Sequence, residues 1–245
     1  MDNPDWLTER PIAHRGLFDD ERPENTLPAF RHAAASGIPI ECDIQLGQDG
    51  LLLVVHDRNL RRLAGSDVSV SEVGPRQLAE LRIGRTAERI PTLAEVLAEV
   101  NGAVPVLLDV RHYGLTLSSD LERLVARAIS GYHGPLALQS FDPVSVTRFR
   151  RLARDHPVGQ VSGRLSSAGR VASLLGRSMA ANLLSRPDFI SYELTALPSP
   201  YVSFWRKGRT LLAWTVHSRQ EEARATGLAD NFIFDGYLPD AYRQR

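Results

Sequence analysis

Short apolar segments rich in β-branched residues recur along the 245-residue chain and alternate with helical patterns. The alternation predicts parallel strands joined by crossover helices, and about eight such units predict closure into a (β/α)8, or TIM, barrel. The strand candidates are Ile12–His14, Ile40–Gln45, Val106–Val110, Leu136–Ser140, Val158–Val161, Asp188–Ser191, Leu211–Val216 and Asn231–Phe234. The helix candidates include Thr26–Ser36, Leu117–Ile129, Val144–Arg154, Ser167–Leu175 and Ser218–Thr226.

Two of the helix starts are marked by local sequence. Thr92 followed by Glu95, and Ser218 followed by Glu221, both read as capping boxes. In such a box the two side chains bond to backbone N–H groups that a helix start leaves without partners.

The composition is that of an ordinary soluble globular protein. Hydrophobic residues make up 43% of the chain and charged residues 24%, enough to bury a sizeable core. No internal repeat, low-complexity tract or linker argues for a second domain. We therefore predict a single barrel domain over residues 1–245, with residues 51–91 as a short insertion that carries a helix near Pro75–Leu81.

The overall charge excludes some classes of partner. The chain has 29 basic and 29 acidic residues and therefore no net charge. An overall positive electrostatic potential that would attract nucleic acid or an anionic membrane surface is thus not expected. The sequence has no signal-peptide pattern and no apolar run of membrane-spanning length. The only cysteine, Cys42, has no internal partner. We expect a cytoplasmic protein that acts on a small molecule, without nucleic acid or a stable membrane anchor, and the oligomeric state stays open.

A hairpin is predicted directly after the second strand. Asp49-Gly50 is a strong signal for a two-residue type I′ turn, so Leu52–Val55 should return antiparallel. In that register Asp43 lies opposite His56. Because side chains alternate between the faces of a strand, Glu41, Asp43 and His56 would then point the same way.

Polar residues at these strands suggest a metal-dependent reaction. Two carboxylates on one strand face are suited to hard cations such as Mg²⁺ or Ca²⁺, although two solvated acids on an edge strand would also explain Glu41 and Asp43. His14 and Arg15 follow the first strand, at the end of a barrel that carries chemistry. A lone histidine is more often structural, so the case depends on these groups converging.

The chain resembles the glycerophosphodiester phosphodiesterase family along nearly its whole length. The resemblance is carried by an ordered set of short motifs: His14-Arg15-Gly16, Pro23-Glu24-Asn25-Thr26 with Ala29-Phe30, Ile40-Glu41-Cys42-Asp43 with Gln45 and Asp49-Gly50, His56-Asp57, Ile90-Pro91-Thr92-Leu93, Gln139-Ser140-Phe141-Asp142, Trp214-Thr215-Val216 and Phe234-Asp235. It implies a barrel that hydrolyses glycerophosphodiesters to an alcohol and glycerol phosphate with a divalent metal ion, Mg²⁺ or Ca²⁺.

The resemblance also implies roles for individual residues. His14 and His56 match the acid/base pair, Arg15 a phosphate contact, and Glu41 and Asp43 metal ligands. The family commonly has a further glutamate ligand and, two residues later, a lysine. This chain has Asp109 and Arg111 at those places. We expect Asp109 to remain a ligand and Arg111 to keep a positive charge beside the phosphate.

Other positions leave alternatives open. Trp214 is either an apolar wall for the glycerol carbons or a core residue. Asn25 reads best as part of a helix start, with Glu24 the better candidate for facing the site. Val216-His217 and Phe234-Asp235 depart from the family's usual sequences.

Two rival functions remain at this stage. One is a phospholipase D-like enzyme acting on lysolipids or sphingolipids, for which Leu197–Trp205 is the best docking segment. The other is a non-catalytic barrel that binds a ligand, motivated by the replacements at Asp109 and Arg111.

Overall fold

The computed structural model describes residues 4–113, 118–164 and 179–243. The predicted helix Ser167–Leu175 lies outside these residues, as does the predicted start of another helix at Leu117. The chain forms two compact units, Met1–His14 with Ala137–Arg245 and Arg15–Leu136, and each is described by itself. The prediction of a single domain stays a prediction.

The described residues contain nine strands, numbered here in chain order. Eight of them correspond to the strands expected of a (β/α)8 barrel, and β3 is the extra strand of the hairpin. The predicted fold class is confirmed. The strands are β1 Ile12–Ala13, β2 Ile40–Leu46, β3 Leu52–Val54, β4 Val106–Val110, β5 Leu136–Ser140, β6 Val158–Ser162, β7 Phe189–Glu193, β8 Thr210–Val216 and β9 Asn231–Phe234.

Ten α-helices lie in the described part of the chain. Four predicted helices agree with the structure to within about two residues at the described ends. The short helices at residues 6–9, 61–64 and 182–185 were not predicted. The helices are α1 Trp6–Glu9, α2 Leu27–Ala35, α3 Arg61–Ala64, α4 Pro75–Glu80, α5 Leu93–Val100, α6 Asp120–Ile129, α7 Pro143–Leu152, α8 Asn182–Ser185, α9 Pro200–Trp205 and α10 Arg219–Thr226.

One capping box is confirmed and the other is only half formed. At α5 the Thr92 side chain accepts a bond from the Glu95 N–H, and the Glu95 carboxylate accepts the Thr92 N–H at 2.7 Å. At α10 the Ser218 hydroxyl accepts the Glu221 N–H at 3.3 Å, but Glu221 accepts the N–H of His217 at 2.7 Å. The reciprocal bond therefore moves one residue upstream and fixes the backbone of His217.

In the unit formed by residues 15–136, β2 and β4 are parallel neighbours. Their register places Glu41 beside Leu107 and Asp43 beside Asp109. Both strands are almost completely buried. The strand register alone thus places acidic side chains of β2 and β4 next to each other.

The hairpin between β2 and β3 is antiparallel, but its predicted register is wrong by one residue. Leu46 pairs with Leu52, so Asp43 lies opposite Val55 instead of His56. The loop has three residues and not two, with Asp49 in the left-handed region at φ 53°. The reason is a tertiary contact: the Gln48 N–H bonds to the Val73 carbonyl at 3.0 Å and cannot close a two-residue turn.

The insertion after β3 has a small core of its own. Its buried side chains pack together beside the hairpin, and the backbone of Val70 bonds to the carbonyl of Arg58 at 2.9 Å. The core residues are Leu53, Val55, Leu60, Leu63, Val70, Val73, Leu78, Ile83 and Ile90. The insertion is therefore a well-packed segment, because each of its turns buries apolar side chains against the next.

In the other unit, the pairs β6–β7, β7–β8, β8–β9 and β9–β1 are all parallel. Large aromatic side chains such as Phe149, Phe189 and Phe234 are fully buried there. Gly159 on β6 lies beside Phe189, and a Cβ at residue 159 would overlap the phenylalanine ring. The glycine is required by this close approach.

Membrane-spanning helices were also sought. None of the helices within 4–113, 118–164 and 179–243 combines the length and hydropathy that such a span needs.

Candidate active site

Three buried carboxylates meet at β2 and β4. Glu41, Asp43 and Asp109 each offer an oxygen, and these oxygens lie within 4.8 Å of one another. The period-two alternation of β2 puts Glu41 and Asp43 on one face, and the pairing with β4 adds Asp109. The predicted convergence of acidic groups is present. We call these three residues the carboxylate cluster.

Two arginines compensate part of this charge. Arg111 Nη1 is 2.6 Å from Asp43 Oδ1 and 3.9 Å from Asp109 Oδ2. Arg15 has a left-handed backbone, φ 59°, and its N–H donates to Glu41 Oε2 at 3.0 Å. Its Nε lies 3.3 Å from Asp43 Oδ2. Both arginines therefore border the cluster, and their predicted contact with phosphate stays a prediction.

Asn25 also belongs to this site, where the sequence reasoning favoured Glu24. The Asn25 amide donates to Asp43 Oδ2 at 3.0 Å, and its backbone is left-handed at φ 55°. Glu24 accepts bonds from Arg15 at 2.7 Å and Arg62 at 2.6 Å, so it holds the arginine in place. Asn25 points at Asp43 because its φ is positive. Asparagine tolerates a positive φ, but the sequence does not show that this residue adopts one.

The electrostatics of the cluster call for a cation. Burial, together with the charges of Asp43 and Asp109, raises the pKa of Glu41 well above its usual range. Burial also raises the pKa of Asp109 to about 7, although Arg111 beside it acts in the opposite direction. Carboxylates this close repel one another unless a proton or a cation lies between them.

The donor set fits a hard divalent ion. Asp109 Oδ1 is buried and has no hydrogen-bond partner among the described residues. Oxygen ligands from three carboxylates are what Mg²⁺ and Ca²⁺ prefer. The cluster could thus hold a metal ion, with Glu41, Asp43 and Asp109 as ligands.

His56 follows β3 and is oriented by an aspartate. Its Nδ1 lies 2.8 Å from Asp57 Oδ1, and Asp57 Oδ2 accepts a bond from Arg62 at 2.6 Å. Burial lowers the pKa of His56, and the negative charge of Asp43 opposes this shift. Since Nδ1 is engaged, Nε2 is the ring nitrogen suited to proton transfer.

In the other unit, His14 is held in the same way by Asp235. The His14 N–H bonds to the Phe234 carbonyl at 2.8 Å, which places the residues after β1 and β9 side by side. Asp235 Oδ2 is 2.6 Å from His14 Nδ1, and Oδ1 is 2.5 Å from His217 Nδ1. Burial raises the pKa of Asp235, but the bonds to the two histidines outweigh it and leave the pKa lowered. The pairing of Asp235 with His217 was not predicted.

Trp214 is half-buried on β8 in the same unit as His14. Its ring makes an edge-to-face contact with Phe141, with centroids 5.6 Å apart. Its indole Nε1 is buried and has no hydrogen-bond partner among the described residues. A buried indole N–H ordinarily has a partner, and the role of Trp214, an apolar wall or a core residue, stays a prediction.

The chain was compared with known proteins. A family model described as the glycerophosphoryl diester phosphodiesterase family matches residues 14–235. The chain belongs to this family. Family membership confirms the resemblance drawn from the motifs and makes the chain an enzyme of the hydrolase class, a phosphodiesterase.

Individual relatives agree with this membership. Glycerophosphodiester phosphodiesterase GDPD4 of Arabidopsis thaliana is 34% identical over 96% of this chain and 76% of its own length. Glycerophosphodiester phosphodiesterase 1 of Bos taurus is 26% identical over 94% of this chain and 78% of its own length.

Solved structures of family members share the fold. A phosphodiesterase of Oleispira antarctica, solved in complex with the product sn-glycerol-3-phosphate, has a TM-score of 0.77 at 21% identity and covers 94% of both chains. A glycerophosphodiester phosphodiesterase of Thermotoga maritima has a TM-score of 0.70 at 24% identity, covering 93% of this chain and 95% of that one.

Proposed function

We propose that this chain hydrolyses glycerophosphodiesters to an alcohol and sn-glycerol 3-phosphate, using a divalent metal ion and the histidines His14 and His56. The observation that carries the proposal is the carboxylate cluster bordered by two arginines, with one buried carboxylate oxygen that lacks a partner among the described residues. The replacement of the family's usual glutamate by Asp109 preserves an oxygen donor at this place.

Glu41, Asp43 and Asp109 would hold the metal ion, and the ion would supply positive charge to offset the phosphoryl oxygens and the negative charge that develops during cleavage. Arg15 and Arg111 add to this charge. Each guanidinium is held by a carboxylate, Arg15 by Glu24 and Arg111 by Asp43, so its orientation is set before substrate binds. Preorganised donors of this kind lower a barrier because they need no rearrangement.

The histidines divide the proton transfers. Phosphodiester cleavage needs a base to activate the attacking water or substrate hydroxyl and an acid to protonate the leaving alkoxide. His14 and His56 each have Nδ1 bonded to an aspartate, Asp235 and Asp57 respectively. An aspartate at Nδ1 fixes the ring and its tautomer and leaves Nε2 for the reaction. The same local arrangement at both rings supports the acid/base pair.

The substrate class is supported by the relatives. The Arabidopsis thaliana and Bos taurus relatives are both named glycerophosphodiester phosphodiesterases. The Oleispira antarctica structure contains sn-glycerol-3-phosphate as product. Trp214 and Phe141 offer an apolar surface with one indole N–H that has no partner in the described part of the chain, which suits a glycerol unit with its carbons and hydroxyls.

The decisive assay measures release of glycerol phosphate from glycerophosphocholine, glycerophosphoethanolamine and lysophosphatidylcholine, each with EDTA and with Mg²⁺ or Ca²⁺ restored. We expect turnover of the first two substrates only, and only with metal. Turnover that is indifferent to chelation would remove the metal from the proposal. Preference for lysophosphatidylcholine would favour the lysolipid rival, and no turnover at all would favour a binding protein.

Variants separate the histidines from the rest of the molecule. His14→Ala and His56→Ala should each lose about 10²- to 10⁴-fold in kcat, the range for general acid–base catalysis. His133→Ala serves as the matched control, because His133 is exposed on the surface. Circular dichroism checks that each variant is folded. Full activity in either catalytic variant would contradict the assignment.

A further inference from the structure

A cavity of about 260 Å³ lies within the unit of residues 15–136. Its walls come from the end of β2, from the insertion and from the segment after β4. The polar residues that line it are Gln45, Arg58, Ser69, Ser71, Arg111, His112, Tyr113 and Ser118. Pockets for whole small ligands measure roughly 300–1,000 Å³, so this cavity has room for part of a substrate, such as a head group.

The cavity adjoins the carboxylate cluster through two of its lining residues. Arg111 lines the cavity and also contacts Asp43 at 2.6 Å. Tyr113 lines it and donates its hydroxyl to the His56 carbonyl at 2.6 Å. A diester bound beside Arg111 could therefore extend one of its two alcohol groups into the cavity.

The wall contributed by the insertion is fixed in place. The Arg58 carbonyl accepts the Val70 N–H at 2.9 Å, and the Ser69 and Ser71 hydroxyl oxygens are 3.1 Å apart. Val70 belongs to the small apolar core of the insertion. The hydroxyls are therefore held by packed backbone and not by a loose loop.

The lining favours anions and hydroxyls over cations. Among the described residues, no aspartate or glutamate lines the cavity. Nearby carboxylates are engaged: Asp43 by Arg111, and Glu122 by His112 at 3.1 Å. Arg58 has no ion-pair or hydrogen-bond partner for its guanidinium within the described ranges. A quaternary ammonium would need several aromatic faces, and Tyr113 is the single aromatic residue in the described lining.

We propose that this cavity is a head-group subsite for substrates whose leaving alcohol carries several hydroxyls and a second negative charge, as in a phosphorylated polyol. Arg58 binds the second charge, while Ser69 and Ser71 bond to the hydroxyls. The inference rests on the proposed phosphodiesterase function and adds to it a preference against cationic head groups such as choline.

The test compares kcat/KM for glycerophosphoinositol 4-phosphate, glycerophosphoinositol and glycerophosphocholine, with metal present. We expect the phosphorylated substrate to be preferred. In Arg58→Gln its advantage over glycerophosphocholine should fall about fivefold, the value of one solvent-screened ion pair, and Arg58→Glu should lower it further. Arg76→Gln, an exposed arginine of the insertion outside the cavity lining, is the matched control and should keep the wild-type ratio.

The outcomes distinguish the two proposals. Hydrolysis of all three substrates with a ratio that does not change in Arg58→Gln and Arg58→Glu overturns the subsite and leaves the phosphodiesterase intact. A wild-type preference for glycerophosphocholine does the same. Failure to hydrolyse any of the three overturns the proposed function and the subsite with it.

Discussion

Replacing Asp109 by asparagine should stabilise the metal-free protein, although it removes a proposed metal ligand. Burial holds the pKa of Asp109 at about 7, against a usual value of 3.8. At about 1.4 kcal/mol per pKa unit, the ionised carboxylate costs about 4 kcal/mol above pH 7. Asparagine keeps the shape and removes the charge. For a protein of this size, relief of this order raises Tm by roughly 10 °C.

The pH dependence follows from the direction of the shift. The folded pKa is above the unfolded one, so the wild type loses stability as the pH rises from about 4 through 7, and the loss is complete above that range. The advantage of Asp109→Asn should therefore be full at pH 8 and nearly absent at pH 4. Urea unfolding in EDTA at the two pH values measures it.

Two comparisons make this test specific. Asp67→Asn removes an exposed carboxylate that pairs with Arg61, and should change the free energy of unfolding by under about 1 kcal/mol. Adding Mg²⁺ or Ca²⁺ should stabilise the wild type more than Asp109→Asn, because an ion that binds the folded state stabilises it by an amount that grows with the logarithm of the affinity. If Asp109→Asn in EDTA at pH 8 unfolds at the same urea concentration as wild type, or a lower one, repulsion within the carboxylate cluster is not the dominant effect.

Two further predictions concern the fold. Thr92→Ala removes the cap of α5 and should lower the free energy of unfolding by about 1 kcal/mol in urea titrations, whereas Thr92→Ser should retain most of it. Gly159→Ala forces a methyl group into the Phe189 ring and should cost about 1–3 kcal/mol, and combining it with Phe189→Leu should recover part of this loss. A Gly159→Ala protein as stable as wild type would show that the ring can move aside.

The sequence predicted those features that depend on local periodicity. Alternating apolar segments predicted the strands, and the i, i+2 spacing of Glu41 and Asp43 predicted that they share a face. The hairpin register failed because Gln48 bonds to Val73, a residue more than twenty positions away that no turn rule includes. The sequence signal favours a two-residue turn, but the tertiary contact of Gln48 shifts the register of the hairpin by one residue.

The site residues that were missed depend on backbone conformation or on distant pairing. Asn25 reaches Asp43 because its backbone adopts a positive φ, which sequence permits but does not dictate. Strands β1 and β9 pair although they lie at opposite ends of the sequence, and this pairing brings His14 to Asp235. The same aspartate also contacts His217. The departure of His217 from the family's usual sequence was visible, but its partner was not.

The balance of charges in the carboxylate cluster has a consequence for what it can accept. Counted without Glu24, which also pairs with Arg15, the three ionised carboxylates and the two guanidinium groups that border them carry one surplus negative charge. A divalent ion turns this surplus into a single positive charge, and a phosphodiester brings a single negative charge to match it. Electroneutrality alone thus suits the occupied centre to a monoanion, and exchanging either arginine for an uncharged residue would abolish that match.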